Sequence, residues 1–92
     1  MENWHPDYMK KKENSNIEFL RAEALTGLTF SKIALGSRHP EKTDRNRAKA
    51  RKAYDTLLRF MPPRNAAPQA LEEITAKVAE LKVNLQQLGE EV

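Results

Sequence analysis

The chain has no cysteine among its 92 residues, which excludes disulfides, thiolate metal ligands and thiol nucleophiles. It also lacks any run of about eighteen apolar residues, the length that a membrane-spanning helix needs. The first residues contain no apolar core of the kind found in secretory signals. We therefore predict a soluble protein of a reducing compartment, the cytoplasm, without contact to a membrane.

The composition predicts one small globular domain. Apolar residues make up 39% of the chain and charged residues 32%, which is enough to form a core in water. A core of this size is barely sufficient by itself, so self-association is the favoured additional support. The net charge is +3, but 38–64 has nine Lys/Arg against three Asp/Glu, whereas 65–92 has two against five. This asymmetry suits an acidic partner, or attraction between the two segments.

The periodicity of apolar residues predicts an all-α protein, an antiparallel three-helix bundle made of a helical hairpin and a third, heptad-patterned helix. We expect residues 1–14 to form a flexible N-terminal arm and residues 15–92 to form the domain, with helices at about 16–35, 40–61 and 66–88. No segment alternates with a period of two, so strands are not expected.

The predicted helix ends rest on capping signals. Ser15 and Glu18 form a capping box for helix 1, and Gly36 suits the left-handed conformation of a helix C-terminus. Pro40 fits the first turn of helix 2, and the proline pair at 62–63 ends that helix. Gly89 is placed to terminate helix 3.

Helix 1 carries apolar residues on two faces. The main face is the predicted core stripe, which comprises Ile17, Leu20, Ala24, Leu28 and Leu35, interrupted by Ser31. A second group, with Phe19, Phe30 and Ile33, lies nearly opposite, so helix 1 should sit between two neighbours. We consider this second group a candidate protein interface, although internal burial by helix 2 or helix 3 is the slightly favoured interpretation.

Helices 2 and 3 each present one apolar face. The face of helix 2 lies in its second half and comprises Ala50, Ala53, Tyr54, Leu57, Leu58 and Met61. The face of helix 3 follows steps of three and four residues through Leu71, Ile74, Val78, Leu81, Leu85 and Leu88. This second pattern is typical of a bundle or coiled-coil helix.

Residues 24–62 resemble a tetratricopeptide repeat, a helix–turn–helix unit used in protein binding. The positions that carry the resemblance are Gly27, Phe30 and Ala34 in the first helix and Ala50, Tyr54, Leu57 and Pro62 in the second helix and its exit turn. The chain departs from the pattern by about ten extra residues around the turn, and Glu23 stands where a large aromatic is expected. The resemblance implies a helical hairpin with a capping helix, but a single copy builds no concave peptide site.

A row of basic residues follows one face of helix 2, and we call it the basic row. Its members are Arg38, Lys42, Arg45, Lys49, Lys52 and Arg59. Such a row can contact an acidic protein or a series of nucleic-acid phosphates. The simpler interpretation is a solvated face with i,i+4 pairs from Glu41 to Arg45 and from Asp55 to Arg59. Arg47 and Arg51 lie off the row and are placed to pair with the acidic third helix.

No residue pattern predicts catalysis, a metal site or a cofactor. The two histidines, His5 and His39, each adjoin proline and lack the helical spacing of metal ligands. The pairs Glu72-Glu73 and Glu90-Glu91 diverge around a helix, and no serine has a recognisable base nearby. We therefore predict a non-enzymatic helical module for protein interaction or assembly, with a homodimer as one form of it. Nucleic-acid binding through the basic row is the alternative, and the sequence indicates no small-molecule substrate.

Overall fold

The computed structural model describes the backbone of residues 4–61 and 68–92, and the side chains of 16–61 and 68–92. It contains three helices, α1 (Trp4–Gly36), α2 (Pro40–Phe60) and α3 (Pro68–Gln87), and no strand occurs in the described ranges. All three helices pack against one another. The prediction of an all-α three-helix bundle is therefore confirmed.

The directions of the helices follow from contacts between their side chains. Phe19 meets Phe60 near one end of the α1–α2 pair, and Phe30 meets Lys49 nearer the other end, so α1 and α2 are antiparallel. The ion pairs Arg21–Glu73 and Lys32–Glu80 join α1 and α3 in the same order, so these two helices run in parallel. The bundle thus follows an up-down-up course.

The core lies where the three apolar faces meet. Leu20, Ala24 and Leu28 of α1 are buried, as predicted, whereas Leu35 is 40% exposed. The α2 and α3 residues buried with them are Ala50, Ala53, Tyr54, Leu57, Leu71, Ile74, Val78, Leu81 and Leu85. The predicted position of α1 between two neighbours is confirmed by its packing against both α2 and α3.

Small residues let the three helices approach closely at Gly27. A Cβ atom at Gly27 would lie 2.6 Å from Leu81 Cδ2 and 3.1 Å from the Cβ of Ala53. A side chain at this position would therefore overlap a fully buried leucine of α3 and crowd α2. Glycine at this position lets α1 pack closely against the side chains of Leu81 and Ala53.

The predicted start and end of helix 1 differ from the structure. α1 begins at Trp4, about twelve residues before the expected start, so Ser15 and Glu18 lie within a continuous helix and do not cap its beginning. Pro6 permits this, because the first N–H groups of a helix have no intrahelical partner. Gly36 is the last helical residue but does not adopt a positive φ, which the described glycines show only at Gly89. The proposed flexibility of residues 1–14 stays a prediction.

The boundaries of α2 and α3 lie close to the predicted ones. Pro40 begins α2, preceded by His39 in an extended conformation, as expected for a residue before proline. Both helices end within a residue of the predicted position, at Phe60 and Gln87. The proline pair at 62–63 and the predicted first residues of helix 3, at 66–67, lie outside the described residues.

The end of α3 is closed by Gly89. Its φ of 92° allows the N–H of Glu90 to donate to the carbonyl of Leu85 at 2.9 Å, while its own N–H donates to Gln86 at 3.0 Å. These two bonds form a Schellman motif. The turn brings Glu90 back towards α2, where it contacts two arginines.

None of the helices in the described part of the chain is long and apolar enough to cross a membrane.

Candidate functional site

An open groove of about 370 Å³ lies between α1 and α2. We call it the α1/α2 groove. Its α1 side is lined by Phe19, Glu23, Thr26 and Phe30. Its α2 side is lined by Lys49, Lys52, Ala53 and Thr56. No residue of α3 contributes to the lining, so the groove lies on the side of the helical hairpin away from α3.

The shape of the groove follows from the size of its residues. Threonine and alanine form its middle at Thr26, Ala53 and Thr56, whereas Phe19 and Phe30 stand at positions eleven residues apart on α1. With a rise of about 1.5 Å per residue, the two phenylalanines are separated by about 16 Å along the helix. The groove is therefore shallow, about three helical turns long and bounded by aromatic rings.

The aromatic rings at the groove are held by contacts with α2 but remain accessible. Phe19 packs edge-to-face on Phe60, with ring centroids 6.3 Å apart and an interplanar angle of 87°. Phe19 is 46% exposed and Phe60 is 56% exposed. Lys49 Nζ lies 5.0 Å from the centroid of the Phe30 ring, within the range of a cation–π interaction. Aromatic surface and positive charge are thus presented together.

The sequence interpretation of internal burial for the second face of α1 is wrong for two of its three residues. Phe19 and Ile33 are exposed, and only Phe30 is partly buried against the core. The cause is the position of the neighbours, because α2 and α3 both approach α1 from the side of the small residues around Gly27. Ile33 lies beyond the groove lining.

All six members of the basic row are exposed to solvent. Five lie in α2 and Arg38 precedes it in the connecting segment, while only Lys49 and Lys52 line the groove. Where side chains are described, at 16–61 and 68–92, no member of the row forms an ion pair. The expected pairs from Glu41 to Arg45 and from Asp55 to Arg59 do not form.

Two acids of α2 instead contact arginines that lie off the basic row. Asp44 pairs with Arg47 at 3.1 Å, and Asp55 pairs with Arg51 at 3.1 Å. Glu90 joins the two arginines, with Oε2 3.4 Å from Arg47 Nε and Oε1 3.0 Å from Arg51 Nη1. The predicted partner of these arginines is the acidic third helix, but the acid that they contact, Glu90, lies in the turn after α3 ends at Gln87.

This ion-pair cluster, which comprises Asp44, Arg47, Arg51, Asp55 and Glu90, lies in a depression of about 600 Å³. The hydrogen bonds that Arg51 donates to Asp55 and Glu90 raise the pKa of its guanidinium above the ordinary value. Arg47 also donates to the carbonyl of Leu88 at 3.4 Å. Each arginine of the cluster contacts two carboxylates, and Glu90 holds the segment after α3 against α2.

A buried polar contact connects α1 with α3. Ser31 interrupts the apolar stripe, and its hydroxyl donates to the carbonyl of Leu28 at 2.9 Å and accepts a bond from Asn84 Nδ2 at 3.0 Å. Among the described side chains, no buried nitrogen or oxygen lacks a hydrogen-bond partner. This interior therefore leaves no polar group directed at a ligand within the described ranges.

The described residues contain no group of three or more His, Asp or Glu side chains that could hold a metal ion. His39 bonds through its backbone to Ser37, and its ring is exposed. His5 lies outside the residues whose side chains are described.

Four of the predicted site residues line one groove in the structure, namely Phe19, Phe30, Lys49 and Lys52.

Two contributors to these surfaces were not predicted as site residues. Phe60 lies eleven residues after Lys49, so three turns of helix place both on the same side of α2, and this spacing is a signal for its position beside the groove. Since the pair Glu90-Glu91 is expected to diverge around a helix, the sequence predicts no role in a site for Glu90. Its contact with Arg47 and Arg51 depends on the turn at Gly89, and helical periodicity does not reveal such a turn.

The chain matches no family model, no curated protein and no solved structure.

Proposed function

We propose that this protein is a helical interaction module that binds another protein through the α1/α2 groove. The observation that carries the proposal is the exposed ring of Phe19 in one groove with Phe30, Lys49 and Lys52, two lysines that form no ion pair with the described side chains. Aromatic residues that remain half exposed in a small domain are typical of protein interfaces. The resemblance to a tetratricopeptide repeat agrees with this function and stays a prediction.

Site-specific photo-crosslinking tests the proposal. A benzoylphenylalanine at position 19 replaces one exposed aromatic ring by another and should form adducts with protein in cells that make this chain. The control places the same group at Leu25, which is 61% exposed and lies outside the groove. Equal adducts from both positions, or none from position 19, would contradict the proposal.

Self-association through the groove is one form of this function. It would cover the exposed rings and extend a core that is small for a domain of this length. Light scattering over a dilution series measures it directly, and Phe30→Glu should produce a monomer if two copies bury this ring. A wild-type protein that is monomeric at every concentration would exclude the homodimer.

Nucleic-acid binding is the second candidate, favoured by the absence of ion pairs along the basic row in the described ranges. A row of cations that contacts phosphates gives an affinity that falls steeply as salt increases. The variant Lys49→Glu, Lys52→Glu, Arg59→Glu should lose such binding to an oligonucleotide, whereas Lys82→Glu on α3 should retain it. Absence of binding by the wild type at low salt would exclude this candidate.

A further inference from the structure

The dimensions of the α1/α2 groove suit a helix. The groove runs along two antiparallel helices for about three turns, with small residues at its middle and phenylalanines towards its ends. A helix laid on such a pair presents apolar side chains at spacings of three and four residues, which interdigitate with the ridges on either side. Its own backbone groups are already hydrogen-bonded, and the described helices provide no strand edge for an extended peptide. A helix placed here would become the fourth member of the bundle.

The charges on the two rims of the groove differ. The α2 rim carries Lys49 and Lys52; Arg45 continues the row one turn before Lys49, and Arg59 follows two turns after Lys52. The α1 side of the lining carries no cation; it has one acid, Glu23, which is partly buried, beside Phe19, Thr26 and Phe30. A matching helix therefore has acidic side chains along the flank that faces α2 and needs none on the other flank.

A second copy of this chain does not match these requirements in its described part. The outer face of α3 has one large exposed apolar residue, Val83, so it cannot supply a stripe of anchors. Two copies that face each other through the groove would also bring the two basic rows together, with one acid in each lining, Glu23, against the lysines Lys49 and Lys52. The charge pattern therefore favours a different protein.

We propose that the α1/α2 groove binds an amphipathic helix of another protein, about three turns long, with acidic residues along one flank of its apolar stripe. Its apolar residues pack between Phe19 and Phe30, and its carboxylates contact Lys49 and Lys52. This inference rests on the proposed function and narrows it to one class of partner.

Designed peptides test this class directly. The probes are fluorescein-labelled helical peptides of about eighteen residues with leucines at spacings of three and four residues. Three registers are made, in which the leucine pattern starts at different positions of the peptide. In each register, four glutamates occupy one flank or the other, since the two orientations of a bound helix place opposite flanks against α2. The controls have lysines in place of the glutamates, or the same residues in scrambled order. Anisotropy titrations with the full chain measure each affinity.

We expect one glutamate peptide to bind at least about tenfold more tightly than its lysine and scrambled controls, which corresponds to about 1.4 kcal/mol. Its affinity should fall when salt is raised. Amide resonances of Thr26 and Ala53 should shift on binding, whereas those of Leu25 and Val83 should not. Equal affinity for glutamate and lysine peptides, or shifts centred outside the groove, would overturn the inference.

Charge-reversal variants provide the complementary test. Lys49→Glu with Lys52→Glu should reduce the affinity for the glutamate peptide at least about tenfold and increase the affinity for the lysine peptide. Lys82→Glu with Lys77→Glu makes the same change of charge on α3, away from the groove lining and the basic row, and should leave both affinities within about twofold. Thermal unfolding followed by circular dichroism verifies that each variant is folded. An unchanged affinity in a folded groove variant contradicts the inference.

The inference and the proposed function fail in different ways. If no glutamate peptide in any register binds below about 1 mM, while the crosslinker at position 19 traps a protein, the acidic helix is excluded and the interaction function stands. If the glutamate peptide binds as expected but an oligonucleotide displaces it at lower concentration, the basic row is assigned to nucleic acid and the inference is overturned. Absence of both peptide binding and crosslinking excludes the interaction function as well.

Discussion

α2 carries cations in two different environments. Towards the C-terminal segment, Arg47 and Arg51 contact Asp44, Asp55 and Glu90 at 3.0–3.4 Å. In the α1/α2 groove, Lys49 and Lys52 form no ion pair with any described side chain, although Lys49 lies over a phenylalanine ring and Lys52 also lines the depression around the ion-pair cluster. Cations with acids inside the fold serve its stability, whereas cations without them are available to a partner. The comparison separates cations that are paired inside the fold from cations that are not, within one helix.

Gly27→Val should have the largest effect, because both sides of α2 depend on the close approach of α1 at this point. The new side chain would overlap Leu81 and crowd Ala53, since even its Cβ would lie 2.6 Å from Leu81 Cδ2. Overpacking of a core typically costs 1–3 kcal/mol, and for a β-branched residue here we expect about 3 kcal/mol. Urea unfolding followed by circular dichroism measures the loss.

Gly36→Val is the matched control, since a Cβ at Gly36 meets no atom within 4 Å and its φ is not positive. We expect the free energy of unfolding to change by less than about 0.5 kcal/mol. Equal stability of the two variants would show that α1 is not held close to α2 and α3 at Gly27, and the width of the groove would then have another origin.

Gly89→Ala should have the next largest effect, because a φ of 92° is strained for a residue with a side chain. We expect a loss of about 1–2 kcal/mol in the free energy of unfolding. Gly89→Asn should cost less, since asparagine adopts the left-handed conformation more readily than alanine. A larger loss for asparagine than for alanine would indicate that the Schellman turn is not what holds the end of α3.

Glu90→Gln tests the ion-pair cluster itself. The carboxylate contacts two arginines and its side chain is 22% exposed, so removal of its charge should cost about 1 kcal/mol. Glu91→Gln is the matched control on an exposed neighbour, with an expected change below about 0.3 kcal/mol. Thermal melts at low and high salt measure both variants. The difference between them should shrink as salt increases.

Periodicity predicted the parts of the fold that depend on one helix at a time. The steps of three and four residues from Leu71 to Leu85 place five side chains on one face, and all five are buried. Pro40 begins α2 because the first turn does not need its missing N–H. Such signals are local, since the covalent geometry of the chain determines them without reference to neighbouring helices.

The candidate site depends on relations between helices that periodicity does not contain. The exposure of Phe19 is decided by how closely α2 approaches α1, and this distance is set by the small residues Gly27 and Ala53 together with Leu81. In the same way, Asp55 has an arginine four residues away in each direction, Arg51 and Arg59. It contacts Arg51 because the ion pair with Glu90 holds the Arg51 side chain near Asp55. Sequence spacing alone does not distinguish between Arg51 and Arg59.

Neutralising the groove lysines should have the smallest effect on stability. Lys49→Gln with Lys52→Gln removes two cations that lie in a basic segment, so the loss of the contact with Phe30 is offset by weaker repulsion among like charges. We expect the free energy of unfolding to stay within about 0.5 kcal/mol of the wild type.

Arg47→Gln with Arg51→Gln removes the same charge from the ion-pair cluster on α2 and should cost about 1–2 kcal/mol, because Glu90 then lacks both partners. Urea unfolding measures the free energy of unfolding of both double variants, so that the two losses can be compared directly. If the lysine variant lost as much stability as the arginine variant, the groove cations would have a structural role, and their availability to a partner could no longer be inferred from the ion pairs.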